Sequence, residues 1–281
     1  MILTGFLDLW NSSWPAGATM LVLAAGFALL LLIASIKLKV QIDPKVEQIL
    51  TVLPGADCGA CGFAGCSAYA KAIAANPELI GKCAPGGDSV SGKIAEILSL
   101  AVSGSNAPVR PIVHCKARTG DKTFFGQYDG IPTCISANAI ANVQACKFGC
   151  LGFGDCVASC KFDAISIIDG LAVIDYEKCT GCTACAKKCP RGIIEMVPFT
   201  SDVMMTVACR SQESGKDTKV FCKVGCIGCE LCTKKNNAFE MVKNYARLNY
   251  EKYQPGESFE AAMDKCPTKV IIYCGKKTQQ S

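Results

Sequence analysis

Histidine is almost absent from this 281-residue sequence, which contains one histidine beside 21 cysteines. A series of zinc fingers, each with two cysteines and two histidines, is therefore excluded. The sequence also lacks a Gly-x-Ser-x-Gly nucleophile motif, a His-Glu-x-x-His metalloprotease motif and a glycine-rich phosphate loop ahead of a helix. These absences argue against a chain that carries its own hydrolytic or nucleotide-binding site.

The cysteines approach the density of a cysteine scaffold, but the chain is far longer than the small secreted domains in which disulfides replace a core. Cys-x-x-Cys pairs recur with glycine between them, and this pattern is typical of metal ligation in a reducing compartment. The formal net charge is +5, yet the charge of each bound metal centre must also be counted. We therefore expect no nucleic-acid partner.

Residues 17–36 form an uncharged, apolar run. As a helix this run would span roughly 30 Å, the hydrocarbon thickness of a bilayer. A signal peptide would need basic residues ahead of it, but none occurs before Lys37. Lys37, Lys39 and Lys45 follow the run, whereas Asp8 precedes it. The positive-inside rule thus predicts one transmembrane anchor, with the N-terminus outside and the rest on the cytoplasmic side of a bacterial or archaeal membrane.

A short helix is predicted next, because Pro44 suits a first helical turn and Pro54 with Gly55 would end the helix. The first cysteine group follows, with spacings x2, x4 and x16: Cys58, Cys61, Cys66 and Cys83. A helix over 67–76 would carry the chain away and return the last of these as fourth ligand. We predict a [4Fe-4S] cluster here, with a four-thiolate zinc knuckle as the alternative.

An internal repeat begins after a boundary near residues 103–111. The stretch IVHCKARTG at residue 112 is echoed by TVACRSQESG at 206, and ACKFGCLGFGDC is echoed by FCKVGCIGCELC. The repeat sets the register in which ligands are assigned.

The first copy contains KCTGCTACAKKCP, a full match to C-x2-C-x2-C-x3-C-P. In two-cluster ferredoxins the fourth cysteine of such a run ligates the other cluster. The predicted sets are Cys160, Cys179, Cys182 and Cys185 for one cluster and Cys146, Cys150, Cys156 and Cys189 for the other. Phe153 stands where a middle cysteine would be, and Cys146 is its predicted substitute. The stretch ISIIDGLAVIDYEKC alternates like a β-hairpin.

In the second copy Asn236 stands where the crossing cysteine belongs, and no cysteine lies between residues 232 and 266. One cube is therefore lost as a unit. The other keeps the predicted ligands Cys226, Cys229, Cys232 and Cys266. Cys222 aligns with Cys146 and is an alternative ligand to Cys229.

Five cysteines are left over: Cys115, Cys134, Cys209, Cys222 and Cys274. Cys115 and Cys209 hold equivalent repeat positions, which predicts a shared structural role. Free cysteine packs as a small hydrophobe, so burial in the core is expected for the five, with an unrecognised ligand set as the alternative.

The anchor, the motif PGADCGACGFAGC with its distant Cys83, and the tandem ferredoxin repeats together resemble the B subunit of the Rnf complex. That family is a membrane-bound, ion-translocating ferredoxin:NAD oxidoreductase, and the resemblance runs from the anchor to Pro267. It implies an electron carrier that takes electrons from soluble reduced ferredoxin. The electrons would pass through [4Fe-4S] clusters to membrane partners bearing flavin or iron–sulfur centres, and finally to a nicotinamide cofactor. Four clusters are expected, or three if the last module is empty, at roughly −400 mV or below.

The predicted fold class is α+β. It comprises an N-terminal segment with the anchor (1–39), a small helical 4Fe-4S domain (40–104), a two-cluster ferredoxin-like module (105–200) and a degenerate one-cluster module (201–281). The ion path is expected in other subunits of the enzyme. Two alternatives stay open: a related complex that keeps a redox-sensing transcription factor reduced, and a non-redox zinc scaffold.

Overall fold

The computed structural model describes residues 2–37, 43–100, 107–140, 143–254 and 256–276. The chain forms two compact units, Met1–Pro44 and Lys45–Ser281, and mixes helices with short strands as the α+β class predicts. The predicted boundaries at 39–40 and 104–105, and Lys39, lie outside the described residues.

The first unit is built on one helix, α1 (Ile2–Lys37). Its part Gly17–Lys37 is long and apolar enough to cross a membrane, a test of length and composition that a signal sequence near an N-terminus also passes. The side chains of Phe27 and Leu31 are 65% and 66% exposed. Exposing apolar side chains of this kind to water costs free energy, whereas contact with lipid does not.

The second unit begins with a small helical region. Its elements are α2 (Pro44–Val52), α3 (Cys66–Ala75), a 3-10 turn (Pro77–Leu79) and α4 (Gly87–Leu98). Ile49, Tyr69, Ile73 and Ile94 pack together as its core and are almost fully buried. Apolar positions three and four apart put these residues on the inner faces of their helices. The region is therefore held by its own apolar core beside the first cysteine group.

The first ferredoxin-like module pairs its outer strands β1 (Val109–Val113) and β4 (Ile194–Pro198), and its inner strands β2 (Ile165–Ile168) and β3 (Leu171–Ile174), each antiparallel. Short helices stand between them: α5 (Cys134–Ala139), α6 (Asp155–Ala158) and α7 (Ala184–Lys188). Asp169 and Gly170 join β2 to β3 with φ of 48° and 72°. Two positive φ values in a two-residue loop suit the twist of a hairpin, and the predicted hairpin is confirmed.

The second module repeats this plan. Its outer strands are β5 (Val203–Val207) and β8 (Ile271–Gly275), and its inner strands are β6 (Phe239–Val242) and β7 (Tyr245–Leu248), again antiparallel. The helices are α8 (Gly215–Phe221) and α9 (Glu257–Asp264).

The two modules share one apolar core, which includes Ile112 and Val197 from the first and Val207 and Ile271 from the second. Backbone hydrogen bonds also cross the junction: Thr123 donates to Phe221 at 3.0 Å, and Lys223 donates to Asp121 at 3.0 Å. The junction between the modules is thus packed and bonded rather than a flexible linker.

Candidate metal centres

The first cysteine group surrounds the start of α3. Burial raises the pKa of the Cys83 thiol, and the nearby sulfurs of Cys66, Cys58 and Cys61 raise it further. Such mutual effects require the four side chains to lie close together. The Asp57 carboxylate accepts a hydrogen bond from the Cys66 backbone N–H at 2.6 Å, which fixes the loop against the helix.

This loop touches the first ferredoxin-like module. Lys161 donates its Nζ to the backbone carbonyl of Ala56 at 2.9 Å. Lys161 follows Cys160, and Ala56 lies two positions before Cys58. The first cysteine group therefore sits beside the group that contains Cys160.

A second group lines one cavity and consists of Cys134, Cys150, Cys156 and Cys189. Burial raises the pKa of Cys156 to about 12, and the sulfurs of the other three add to the increase. Three of the four were predicted as a set, but Cys146 lines a different cavity and Cys134 takes its place.

Local hydrogen bonds explain why Cys134 lies in the cavity of the second group. Cys134 is the first residue of α5, whose N-cap Thr133 accepts a hydrogen bond from the Ser136 N–H. The Asp155 carboxylate accepts from the backbone N–H groups of Cys134 and Ile135 at 2.9 and 3.0 Å. Because Asp155 opens α6, it ties the start of α5 to the helix that carries Cys156. In the sequence, the Thr-x-x-Ser pattern at residues 133–136 could have predicted a helix that begins at Cys134.

The third group brings together the side chains of Cys160, Cys179, Cys182 and Cys185. Burial raises the pKa of Cys185 to about 12, and the sulfurs of Cys179, Cys182 and Cys160 raise it further. The Cys160 sulfur accepts a hydrogen bond from the Ala164 N–H at 3.4 Å. Cys185 lies within α7 and Cys189 directly follows it, so this one short helix serves both the second and the third group.

The fourth group lines another cavity and consists of Cys226, Cys229, Cys232 and Cys266. Burial raises the pKa of Cys226, and the sulfurs of Cys266 and Cys229 add to it. Gly228 between two of these cysteines has φ of +65°, and a Cβ on it would stand 2.7 Å from the Asn244 carbonyl oxygen. Cys222, the alternative to Cys229, lines another cavity.

The second module lacks a partner run but contains a cluster of aromatic side chains. The ring of Phe259 lies 5.0 Å from that of Tyr253 and 5.9 Å from that of Phe239. All three are buried. The Asn236 side-chain oxygen accepts the Ala238 N–H at 2.8 Å, as the Cys160 sulfur accepts the Ala164 N–H in the first module.

The remaining cysteines separate into two kinds. Cys274 is 1% exposed and donates its S–H to the Met204 carbonyl at 3.4 Å, so it packs in the core as expected. The others line one further cavity, between the modules: Cys115, Cys146, Cys209 and Cys222.

These thiols suit iron–sulfur clusters. All but Cys229 are buried or partly buried, backbone N–H groups point at several of them, and glycines leave room beside them. Hydrogen bonds to cluster sulfurs are one way in which proteins set cluster potentials. Among the described residues, no three His, Cys, Asp or Glu side chains are arranged to hold a single metal ion.

Comparison with protein families gives two matches. Residues 53–85 match the family "Putative Fe-S cluster", and residues 172–195 match the "4Fe-4S binding domain". The first range contains Cys58 to Cys83, and the second contains Cys179 to Cys189.

Relatives extend the match to most of the chain. The B subunit of the ion-translocating oxidoreductase complex of Methanosarcina acetivorans is 36% identical over 88% of this chain and 93% of its own length. This chain belongs to the family of B subunits of ion-translocating oxidoreductase complexes. Another relative, the B subunit of the Na⁺-translocating ferredoxin:NAD⁺ oxidoreductase complex of Acetobacterium woodii, is 34% identical over 90% of this chain and 76% of its own length. The proton-translocating counterpart of Clostridium ljungdahlii is 36% identical over 90% of each chain.

Membership in this family and the two family matches together make this an iron–sulfur protein. With the exposed apolar span of α1, they also make it membrane-associated.

Proposed function

We propose that this chain is the electron-transferring subunit of a membrane-bound, ion-translocating ferredoxin:NAD oxidoreductase complex. It receives electrons from soluble reduced ferredoxin and delivers them to membrane subunits that carry flavin or iron–sulfur centres, which pass them to a nicotinamide cofactor. The names of the relatives support this interpretation. Each cluster supplies one-electron chemistry, so the chain needs no acid, base or nucleophile of its own.

Four ligand sets are proposed. The first is Cys58, Cys61, Cys66 and Cys83; the second is Cys134, Cys150, Cys156 and Cys189; the third is Cys160, Cys179, Cys182 and Cys185; the fourth is Cys226, Cys229, Cys232 and Cys266. The second set differs from the spacing-based prediction by the exchange of Cys146 for Cys134, for which the shared cavity argues.

The observation that carries the proposal is the crossing of ligands at α7. Cys185 lies with the third group and Cys189 lines the cavity of the second group, only four residues apart. Two centres served by one short helix are close enough for electrons to pass between them. A purely structural metal site has no need of such a neighbour.

The domain boundaries are proposed as 1–39, 40–104, 105–200 and 201–281, with all cluster-bearing parts on the cytoplasmic side. Residues 17–36 contain no ionisable side chain, so the ion path is assigned to other subunits. The chain itself would anchor the cluster domains where ferredoxin can reach them.

Mixing the full chain in detergent with reduced ferredoxin, without oxygen, tests the proposal. Rapid bleaching of cluster absorbance and the appearance of EPR signals of reduced clusters are expected. The proposal fails if dithionite reduces the clusters but an excess of reduced ferredoxin, with a potential below that of the clusters, does not.

A further inference from the structure

We infer that Cys115, Cys146, Cys209 and Cys222 hold a fifth [4Fe-4S] cluster at the junction of the two ferredoxin-like modules. The four side chains line one cavity and belong to none of the other four groups. This site goes beyond the proposed electron entry from ferredoxin and does not depend on the identity of the donor.

The four cysteines are two pairs related by the internal repeat. β1 ends at Val113 and β5 at Val207, so Cys115 and Cys209 each stand two residues past the end of an equivalent strand. Cys146 and Cys222 each stand four residues ahead of a cysteine in another group. Each module thus contributes two ligands from matching places, and the cavity between the modules brings them together.

Backbone amides point at the sulfurs of the first pair. The Cys150 N–H donates to the Cys115 sulfur at 3.4 Å, and the backbone N–H of its repeat equivalent, Cys226, faces the Cys209 sulfur. The amide two residues after each cysteine of the pair also faces its sulfur. This is the environment in which a cluster thiolate is stabilised.

The second pair lies against two equivalent glycines. A Cβ on Gly149 would stand 3.4 Å from the Cys146 sulfur, and a Cβ on Gly225 would stand 3.7 Å from the Cys222 sulfur. The same Cβ on Gly225 would meet the Thr218 methyl carbon at 2.5 Å. Both glycines therefore keep the space beside a sulfur free of side chain.

Two cations offset the negative charge that four buried thiolates would bring. Lys122 is 9% exposed, donates to two carbonyl oxygens at 2.8 and 2.7 Å, and lines the same cavity as Cys115. Arg191 donates to the carbonyls of Cys146 and Gly149 at 2.7 and 2.8 Å. A buried anionic centre needs such partners, because isolated charge in the interior is costly.

The junction cavity lies beside the second and fourth groups. Its amide donors, Cys150 and Cys226, are themselves members of the second and fourth groups. A cluster here would connect the two modules, which share no crossing ligand of their own.

Metal analysis of the full chain, purified in detergent without oxygen, tests the inference. With five cubes the wild type should contain about twenty irons and as many acid-labile sulfides, against about sixteen with four cubes. Native mass spectrometry of the wild type should show the mass of five cubes, so the test does not depend on a variant that folds. Four cubes and empty junction thiols, or a zinc ion in place of the fifth cube, would overturn it.

Paired variants locate the site. Cys209→Ala and Cys146→Ala should each lose about four irons, and the double variant should lose no more than either single one. Cys134→Ala combined with Cys209→Ala should lose about eight, since these residues belong to different sites. Cys274→Ala, at a cysteine that is 1% exposed and packs in the core, should keep the wild-type count. Additive losses from Cys146→Ala and Cys209→Ala would contradict a shared cluster.

Discussion

The two ferredoxin-like modules have the same strand pairing but fill the same place with different chemistry. In the first module, Cys179 and Cys185 lie close to Cys160. In the second, Tyr253 and Phe259 pack against each other, and Asn236 replaces the crossing cysteine. One module holds a predicted cluster where the other holds an aromatic core.

The difference teaches that such a site is lost as a unit. A single missing cysteine would leave buried thiols and a void, and both destabilise a fold. In the second module the backbone N–H of Ala238, equivalent to one that faces sulfur in the first, is satisfied by the Asn236 oxygen at 2.8 Å. Aromatic rings then supply the packing that a cluster would have supplied.

The largest expected effect is the loss of a cluster from the first module alone. Cys185→Ala should remove about four irons per chain, because it deletes one of four ligands of the third group. The matched change in the second module is Ala262→Cys, four residues before Cys266 as Cys185 is before Cys189. It should gain no iron, since no other cysteine lies between residues 232 and 266. Iron gained by Ala262→Cys would break the comparison.

The aromatic core should respond to truncation as a hydrophobic core does. Phe259→Ala should lower the free energy of unfolding by about 3–5 kcal/mol, because Phe259 is 4% exposed and leaves a cavity. Denaturant unfolding measures this loss. Phe125→Ala is the control, since Phe125 is 62% exposed and its loss should cost less than about 0.5 kcal/mol. Equal effects of the two changes would show that the aromatic cluster is not a core.

A charged contact joins the modules. Glu195 on β4 pairs with Arg247 on β7, and its Oε2 lies 3.1 Å from His114 Nε2, although the ring N–H is poorly aligned for a hydrogen bond. Contact with His114, aided by Arg247, lowers the pKa of Glu195 to about 2.

Glu195→Gln should therefore lower the free energy of unfolding at pH 7 by about 1–2 kcal/mol. Because the depressed pKa lies below the unfolded value of about 4.3, the contribution is complete above that value and is lost as the pH falls toward 2. The control is Asp202→Asn, whose carboxylate is 70% exposed and 3.8 Å from Lys276; it should change stability little. A Glu195→Gln variant as stable as the wild type at pH 7 would show that this charged contact does not stabilise the junction between the modules.

The smallest effect concerns the residue that replaces the crossing cysteine. Asn236→Ala leaves the Ala238 N–H without its acceptor and should cost about 1 kcal/mol in thermal or denaturant unfolding, with the iron count unchanged. Asn236→Asp keeps the oxygen and should recover most of that loss. A drop in iron in Asn236→Ala would instead place Asn236 beside a cluster.

Much of this architecture follows from local sequence. Pro44 and Pro54 bracket α2 (Pro44–Val52) within two residues, and the Asp-Gly turn gives the hairpin. The apolar run of residues 17–36 lies within α1. Each of these features depends on neighbours in the chain, which is why the sequence suffices.

The place of Cys146 does not follow from local sequence. Because Cys146 lies near Cys150 in the chain, the two were predicted to share a cluster. The Asp155 carboxylate instead brings Cys134 to that cavity, from sixteen residues before Cys150. The junction cavity arises only when two repeats pack face to face, so Cys115 and Cys209 look like core residues when each repeat is considered alone.

Iron, acid-labile sulfide and zinc in the full chain, prepared without oxygen, are the most direct test of the cluster assignment. We predict equal iron and sulfide, about sixteen of each from the four sets and about twenty with the junction site, and negligible zinc. A colourless protein with about one zinc per cysteine group and no sulfide would contradict it, because four thiolates around zinc carry no electron.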